Sequence, residues 1–338
     1  MESGRLAQIT GMDEYRGQKV LITGGLGFIG SNLAIRLVES GASVTLLDSL
    51  HPTCGANYFN IEPIKNDVEV VEGDSCNLEL VRKLVRGRRF IFNLAGHVSH
   101  IESMQEPFED LQMNTVAPLT VLEACRHENR DARIVYSGTR QAYGRPESLP
   151  LVETQVLKPV DVNGVSKMAG EWFHMVYAQA HGIHAVSLRL INTYGPRQLV
   201  KHAKQGFVGW FVKQAIDGEE IQVFGDGQQI RSFNYVDDVV DAFLIAATHD
   251  QLKGDYFNLA GVRPVKLEEF VKTLLDAAGS GSYRIVPFPP EKKVIDIGSV
   301  YSSAAKFNAA TGWKARTPIE QGLPKMLEYY RRHRSHYW

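Results

Sequence analysis

Between Thr23 and Gly30 the chain reads TGGLGFIG, with Gly24, Gly27 and Gly30 three apart and directly behind the β-branched run KVLIT. Glycines in such a turn tolerate positive φ and let backbone N–H groups come close to a pyrophosphate. A helix opening there adds partial positive charge, and Gly30 lets that helix pack tightly on the preceding strand. Asp48 ends the next apolar run, SVTLLD. A carboxylate at that distance accepts hydrogen bonds from the adenosine ribose hydroxyls and repels a 2′-phosphate. Together they predict a bound dinucleotide, NAD rather than NADP. The other reading of Asp48 is an ordinary turn aspartate at a strand end.

The elements that must hold these residues are legible as an alternation. Lys19–Thr23, Ser43–Asp48, Val68–Val71, Arg89–Leu94, Arg133–Ser137 and Ala185–Leu190 read as buried strands. Amphipathic stretches such as Phe28–Ser40 and Thr115–His127 lie between them. Strands alternating with helices imply βαβ units, right-handed crossovers and a parallel sheet, so the expected class is a doubly wound α/β (Rossmann) fold. The span Asp48–Asp67 reads as a loop. After about residue 192 proline and glycine thicken and the alternation fades. We therefore expect a dinucleotide-binding domain over 17–192 and a smaller, mainly substrate-binding lobe over 193–330, some of whose segments return to the first domain. Residues 1–16 would be an extension and 331–338 a basic tail, a solvated helix end or flexible segment.

Composition narrows the function classes. The chain has 338 residues, 44% of them hydrophobic and 22% charged, with Lys+Arg 37 against Asp+Glu 38. A nucleic-acid binder usually carries a basic excess, and none is present. No window offers 18 uninterrupted apolar residues, and the N-terminus lacks the pattern of a secretory signal, so neither a membrane partner nor export is expected. Cys54, Cys76 and Cys125 have no metal-binding or CxxC spacing, which suits a reduced, cytoplasmic setting without a metal.

An ordered series of motifs runs from the glycine turn to the C-terminal region. After the glycine turn come Gly73-Asp74, Asn93-Leu94-Ala95-Gly96-His97, Met113-Asn114-Thr115, Tyr136-Ser137-Gly138-Thr139 with Tyr143-Gly144, and Ser166-Lys167-Met168-Ala169-Gly170-Glu171. Arg189 to Arg197 (RLINTYGPR), Phe224-Gly225-Asp226-Gly227, Arg231-Ser232-Phe233, Val236-Asp237-Asp238 and Gly312-Trp313-Lys314 follow in the same order. In this order the series resembles the extended short-chain dehydrogenase/reductases, the nucleotide-sugar epimerases and dehydratases. The resemblance implies that Phe28 and Ile29 offer amides to the pyrophosphate, and that Asp74, with Ser75, reaches the adenine. It implies that Leu94, Ala95, Gly96 and His97 line the cofactor channel, with Asn114 beneath it and Ile191 beside the nicotinamide. Asn192, Arg197 and Arg231 would hold the nucleotide sugar, and a homodimer through the helices after Asn114 and Asn163 would be expected.

The family works with a Ser/Thr, a Tyr and a Lys, the last two spaced YxxxK. Here Thr139 and Lys167 are in place, but the position four before Lys167 is Asn163. An amide has no ionisation near neutral pH and cannot act as a general base, a loss typically worth about 10²–10⁴-fold in rate. Three readings stay open. Another group moves the proton (Tyr143, His97, His100 or Asp161); or Lys167 acts through Thr139; or the protein binds NAD and a sugar nucleotide without turnover. Asn163 itself could hold a water or the sugar hydroxyl. The dehydratase carboxylate pair after the threonine is replaced by Arg140-Gln141, which disfavours 4,6-dehydration. Arg140 could grip a substrate carboxylate or merely pair with Glu147 or Glu153. An epimerase needs the fewest extra groups and ranks first. A uronic-acid decarboxylase or dehydrogenase ranks second and a non-catalytic binder third.

Overall fold

The computed structural model describes residues 12–203, 206–290, 293 and 296–338, so residues 1–11 of the expected extension lie outside the described residues. The first half runs β1 (Lys19–Thr23), α1 (Phe28–Glu39), β2 (Ser43–Asp48), β3 (Val68–Glu72), α2 (Leu78–Val85) and β4 (Phe90–Asn93). Two short helices, α3 (His100–Gln105) and α4 (Pro107–Leu111), lead through a widened π-turn at Gln112–Val116 into α5 (Ala117–Glu128). Then come β5 (Arg133–Thr139), α6 (Val162–His181), β6 (His184–Leu190) and β7 (Asn192–Tyr194). The second half holds α7 (Phe207–Asp217), β8 (Glu220–Phe224), β9 (Ile230–Tyr235), α8 (Val236–Thr248), β10 (Asp255–Asn258), β11 (Pro264–Lys266), α9 (Leu267–Ala278) and β12 (Ser282–Val286). It closes with α10 (Ala305–Thr311), α11 (Ile319–Arg332) and a last helical turn, α12 (Arg334–Tyr337).

Seven strands form one sheet in the order β10-β6-β5-β4-β1-β2-β3, every pair parallel. The expected doubly wound fold is the observed one. Alternation within the strands sorts the core into two layers. Val20 and Ile22 face α1 and α8, with Leu33, Leu37, Val239 and Phe243. Leu21 and Ile91 face α2 and α5, with Val81, Val85, Val121 and Leu122. The strand order turns back between β1 and β4, where such sheets bind ligands.

Three features differ from the sequence reading. The sheet has a seventh strand, β10, whose four residues carry no readable period. The expected loop Asp48–Asp67 contains a 3₁₀ segment, Tyr58–Ile64, pinned to the glycine turn by Asn60 Nδ2 donating to Leu26 O over 2.8 Å. The end of the chain is packed rather than solvated: Tyr337 is 4% exposed and donates to Asn60 Oδ1. A second core gathers Val208, Phe211, Val212, Phe270, Leu323 and Met326 from α7, α9 and α11.

Candidate active site

A cavity of about 980 Å³ opens at the carboxyl ends of β1, β2, β4 and β5. Its near wall is the glycine turn. Gly24 has φ +70°, and a Cβ on Gly30 would stand 2.2 Å from Gly24 O, so the turn closes only with glycine there. Phe28, Ile29 and Gly30 begin α1, where amides have no helical carbonyl to meet and can face a pyrophosphate. Asp48 is 8% exposed and lines the cavity. Its two oxygens accept Leu26 N (3.0 Å) and Leu50 N (2.9 Å), which fixes the carboxylate and leaves lone pairs for ribose hydroxyls. Burial raises its pKa while these amides pull it back. Asp74, Ser75, Leu94, Ala95 and Gly96 continue the wall. The cradle therefore fits a dinucleotide on its own geometry.

The floor explains Gly96. A Cβ there would fall 2.5 Å from Asn114 Oδ1 and 2.8 Å from Lys167 Nζ. Asn114, turned inward by the π-turn, accepts His97 N (3.0 Å) and donates to His97 O (3.0 Å) and Asp110 Oδ2 (3.0 Å). Asn114 and His97 thus lie beneath the lining rather than in it. The His97 ring meets Glu102 at 3.1 Å and Asp110 at 3.6 Å. Burial works against its charged form, yet those two carboxylates outweigh it and raise the His97 pKa.

Thr139, Asn163 and Lys167 come together on the cavity wall. Lys167 is buried, with Nζ 3.4 Å from Ser137 O. Burial, opposed by the Asp110 charge, pushes its pKa down to about 8. Asn163 donates Nδ2 to His97 O (2.7 Å) and Asp110 Oδ2 (2.8 Å), so its amide is tied into the floor. Tyr143 is not in this group. It lies 2% exposed behind the wall, accepting from Arg189 Nη1 (2.6 Å) and donating to Asn258 Oδ1 (2.9 Å). Burial raises its pKa against the pull of Arg189. A tyrosine so committed serves packing, and nothing places its hydroxyl in the cavity.

Arg140, Ile191, Asn192 and Arg231 also line the cavity. Arg140 Nη2 reaches Asn192 Oδ1 at 3.4 Å, and its Nη1 is buried with no hydrogen-bond partner among the described residues. Burial, then the Arg231 charge, push the Arg140 pKa down to about 9. Arg197 is elsewhere, bonding Asn60 O (2.9 Å) and Asn32 Oδ1 (3.0 Å), and so joins the second half to α1 rather than facing the cavity. Sequence reasoning missed Gln198, Leu199, Phe207 and Phe288, which also line it. They come from segments of the second lobe with no motif of their own. Asp110, the hub of the floor, was missed because its role depends on folding.

A doubly wound sheet with a glycine cradle at its switch point and a Thr–Lys pair beside it defines a dinucleotide-dependent short-chain dehydrogenase/reductase type of protein. Residues 20–260 match the NAD dependent epimerase/dehydratase family, and the chain belongs to that family. The family, the Rossmann fold and the NAD cofactor agree with the sequence reading. The chain is 29% identical over 337 residues to CDP-paratose 2-epimerase from Salmonella typhi, covering 92% of this chain and 98% of that one. It superimposes with TM-score 0.84 and 28% identity on UDP-glucose 4-epimerase from Thermotoga maritima with UDP-glucose, covering 94% and 99%. MoeE5 in complex with UDP-glucuronic acid and NAD gives TM-score 0.81 and 26% identity, covering 93% and 99%. Among the described residues no helix is long and apolar enough to cross a membrane.

Proposed function

We propose that this protein is a nucleotide-sugar epimerase, inverting one ring carbon through a transient ketone. The observation that carries the reading is the single cavity that joins the glycine cradle and Asp48 to Thr139, Lys167 and, beyond them, Arg140 and Arg231. Held by the cradle, NAD supplies a hydride acceptor, regenerated within each cycle. Lys167 brings a cation to the wall beside the reacting hydroxyl, where it favours an alkoxide. Thr139 offers a hydroxyl at the end of β5, and its Oγ1 already accepts Gln141 N at 3.2 Å. Arg231, anchored by Ile230 O and Gly298 O, presents its guanidinium to a diphosphate, for which a planar fork is suited.

A second reading rests on Arg140. A guanidinium on the cavity wall, weakly bonded and beside a second arginine, favours a ligand with an additional anionic group. Such a group would be a carboxylate on the sugar. MoeE5, similar to this chain at 26% identity, was solved with UDP-glucuronic acid. In this version the substrate is a nucleotide-linked uronic acid, epimerised or decarboxylated.

The test is incubation of the purified protein with UDP-, dTDP-, GDP- and CDP-sugars, neutral and uronic, read by NMR and mass spectrometry. Product isomers without a lasting absorbance change at 340 nm are expected. Released carbon dioxide would assign the decarboxylase, lasting absorbance the dehydrogenase, and tight binding without product the non-catalytic binder. The same reading makes 17–192 the cofactor half and 193–330 mainly the substrate lobe of a cytoplasmic homodimer, with α8 and β10 returning to the cofactor half. The dimer is supported by Val165, Trp172 and Val176, an exposed apolar stripe on α6.

A further inference from the structure

The missing tyrosine leaves a proton without an acceptor, and the cavity wall supplies one in a form the family motif does not contain. Of the four side chains the sequence offered, Tyr143 is walled off by Arg189 and Asn258. His97 is locked under the floor by Glu102 and Asp110. His100 and Asp161 remain, and they are bonded to each other: His100 Nδ1 meets Asp161 Oδ2. Both line the cavity, as do Thr139, Asn163 and Lys167.

The division of labour within the pair follows from burial. The Asp161 side chain is 2% exposed, while His100 is 37% exposed. Asp161 caps α6, its Oδ1 accepting Gly164 N at 2.7 Å. One oxygen is thus fixed by the helix and the other is left for the imidazole, so the carboxylate cannot turn away. A carboxylate accepting from Nδ1–H holds the neutral ring with its lone pair on Nε2. The other ring contact agrees: Gln141 Nε2 lies 2.7 Å from His100 Nε2, and an amide N–H can only donate. Gln141 Oε1 is itself buried without a partner among the described residues, so the amide caps the lone pair without being fixed at both ends. A sugar hydroxyl can take its place. Gln141 is also bonded through its backbone to Thr139 Oγ1, which puts the imidazole and the threonine in one corner of the cavity.

We propose that His100, oriented by Asp161, accepts the proton of the sugar hydroxyl in place of the tyrosine that Asn163 has displaced. The inference rests on the epimerase reading. The hydroxyl proton moves to Nε2, while the Nδ1 proton stays on the ring and keeps its hydrogen bond to the Asp161 carboxylate. The carbon-bound hydrogen leaves with its electron pair as hydride to NAD, and the carbon becomes a ketone. On the return, hydride enters from the opposite face and Nε2–H gives its proton back to the oxygen. The arrangement repeats the logic of a histidine whose tautomer and orientation are held by a buried aspartate.

The test compares wild type with H100Q, H100A and H100Q/N163Y, each checked for NAD content and thermal midpoint. H100Q is expected to keep its NAD and lose about 10²–10⁴-fold in kcat. Imidazole in the buffer should restore part of the activity of H100A, and the added phenol should restore part of the loss in H100Q/N163Y. Independently of turnover, ¹⁵N-histidine NMR should show His100 protonated at Nδ1, with that state lost in D161N. Wild-type turnover in H100Q, an Nε2–H tautomer, or a large rise in turnover of N163Y alone overturns the proposal. Absence of turnover by the wild type on every nucleotide sugar instead overturns the epimerase reading, and the catalytic role falls with it.

Discussion

The Lys167 ammonium is buried, and the Asp110 charge and the face of the Tyr136 ring offset only part of the cost of burial. Its hydrogen bond to Ser137 O is 3.4 Å long, and burial lowers its pKa from 10.5 to about 8. In the cofactor-free chain the native state sheds this proton near pH 8 and the unfolded state near 10.5. The unfolded state therefore binds more protons between these values, so the destabilisation is full below pH 8 and fades as pH rises toward 10.5. A difference of that size corresponds to about 3 kcal/mol. Lys167→Met should raise the urea midpoint of the stripped protein at pH 7 and lose that advantage at alkaline pH, while turnover falls at least about 10²-fold. A midpoint unchanged at pH 7 would show the lysine already compensated. Arg140→Gln tests the anionic-sugar reading at the same scale. Hydrogen bonds to charged groups contribute about 1.5–3 kcal/mol. The KM for a nucleotide-linked uronic acid should rise about 10–100-fold, that for a neutral nucleotide sugar little; equal changes for both would remove the carboxylate from the argument.

Elements place these groups, and the tightest placement is the strand–turn–helix unit of β1 and α1. A methyl on Gly30 would meet Gly24 O at 2.2 Å and Gly25 Cα at 2.9 Å, backbone atoms that cannot swing aside. Gly30→Ala is expected to cost about 1–3 kcal/mol and to strip NAD during purification, measured by thermal shift and by the nucleotide released on denaturation. This unit was legible in the sequence because glycine spacing, strand period and Asp48 are all local. So were the bounds of β1 and β2, which match the expected Lys19–Thr23 and Ser43–Asp48. β10 was not legible: DYFN has no period, and it becomes a strand only by pairing with β6, Asp255 beside Val186. The pairing of His100 with Asp161 was hidden for the same reason. Each was visible as a titratable residue, but 61 positions separate them, and the packing of α6 on α3 joins them. Tyr143 shows the reverse error, a family motif residue whose hydroxyl packing has turned inward.

At the scale of the whole molecule, α6 has two faces with different partners. Asn163 and Lys167 are buried on the inner one. Val165, Trp172 and Val176, spaced i, i+7 and i+11, are 49%, 46% and 50% exposed, and nearby Phe108 on α4 is 81% exposed. Apolar side chains gathered on one helical stripe and left in water favour burial against another surface, and a second copy of the same helix offers a self-complementary one. The near-balanced charge, -1 overall, raises little long-range repulsion against such pairing. Sedimentation should therefore give about twice the 37.7 kDa chain mass. Val165→Glu with Val176→Glu would place charges on the stripe and should yield the single chain. The helix that carries the stripe also carries Lys167 and is capped by Asp161, so loss of the partner should loosen the corner that holds His100. Turnover of the double variant is expected to fall while its NAD content stays near wild type, because the cradle belongs to β1 and α1. A wild-type protein that sediments as one chain at micromolar concentration and turns over at full rate would separate the stripe from both assembly and catalysis.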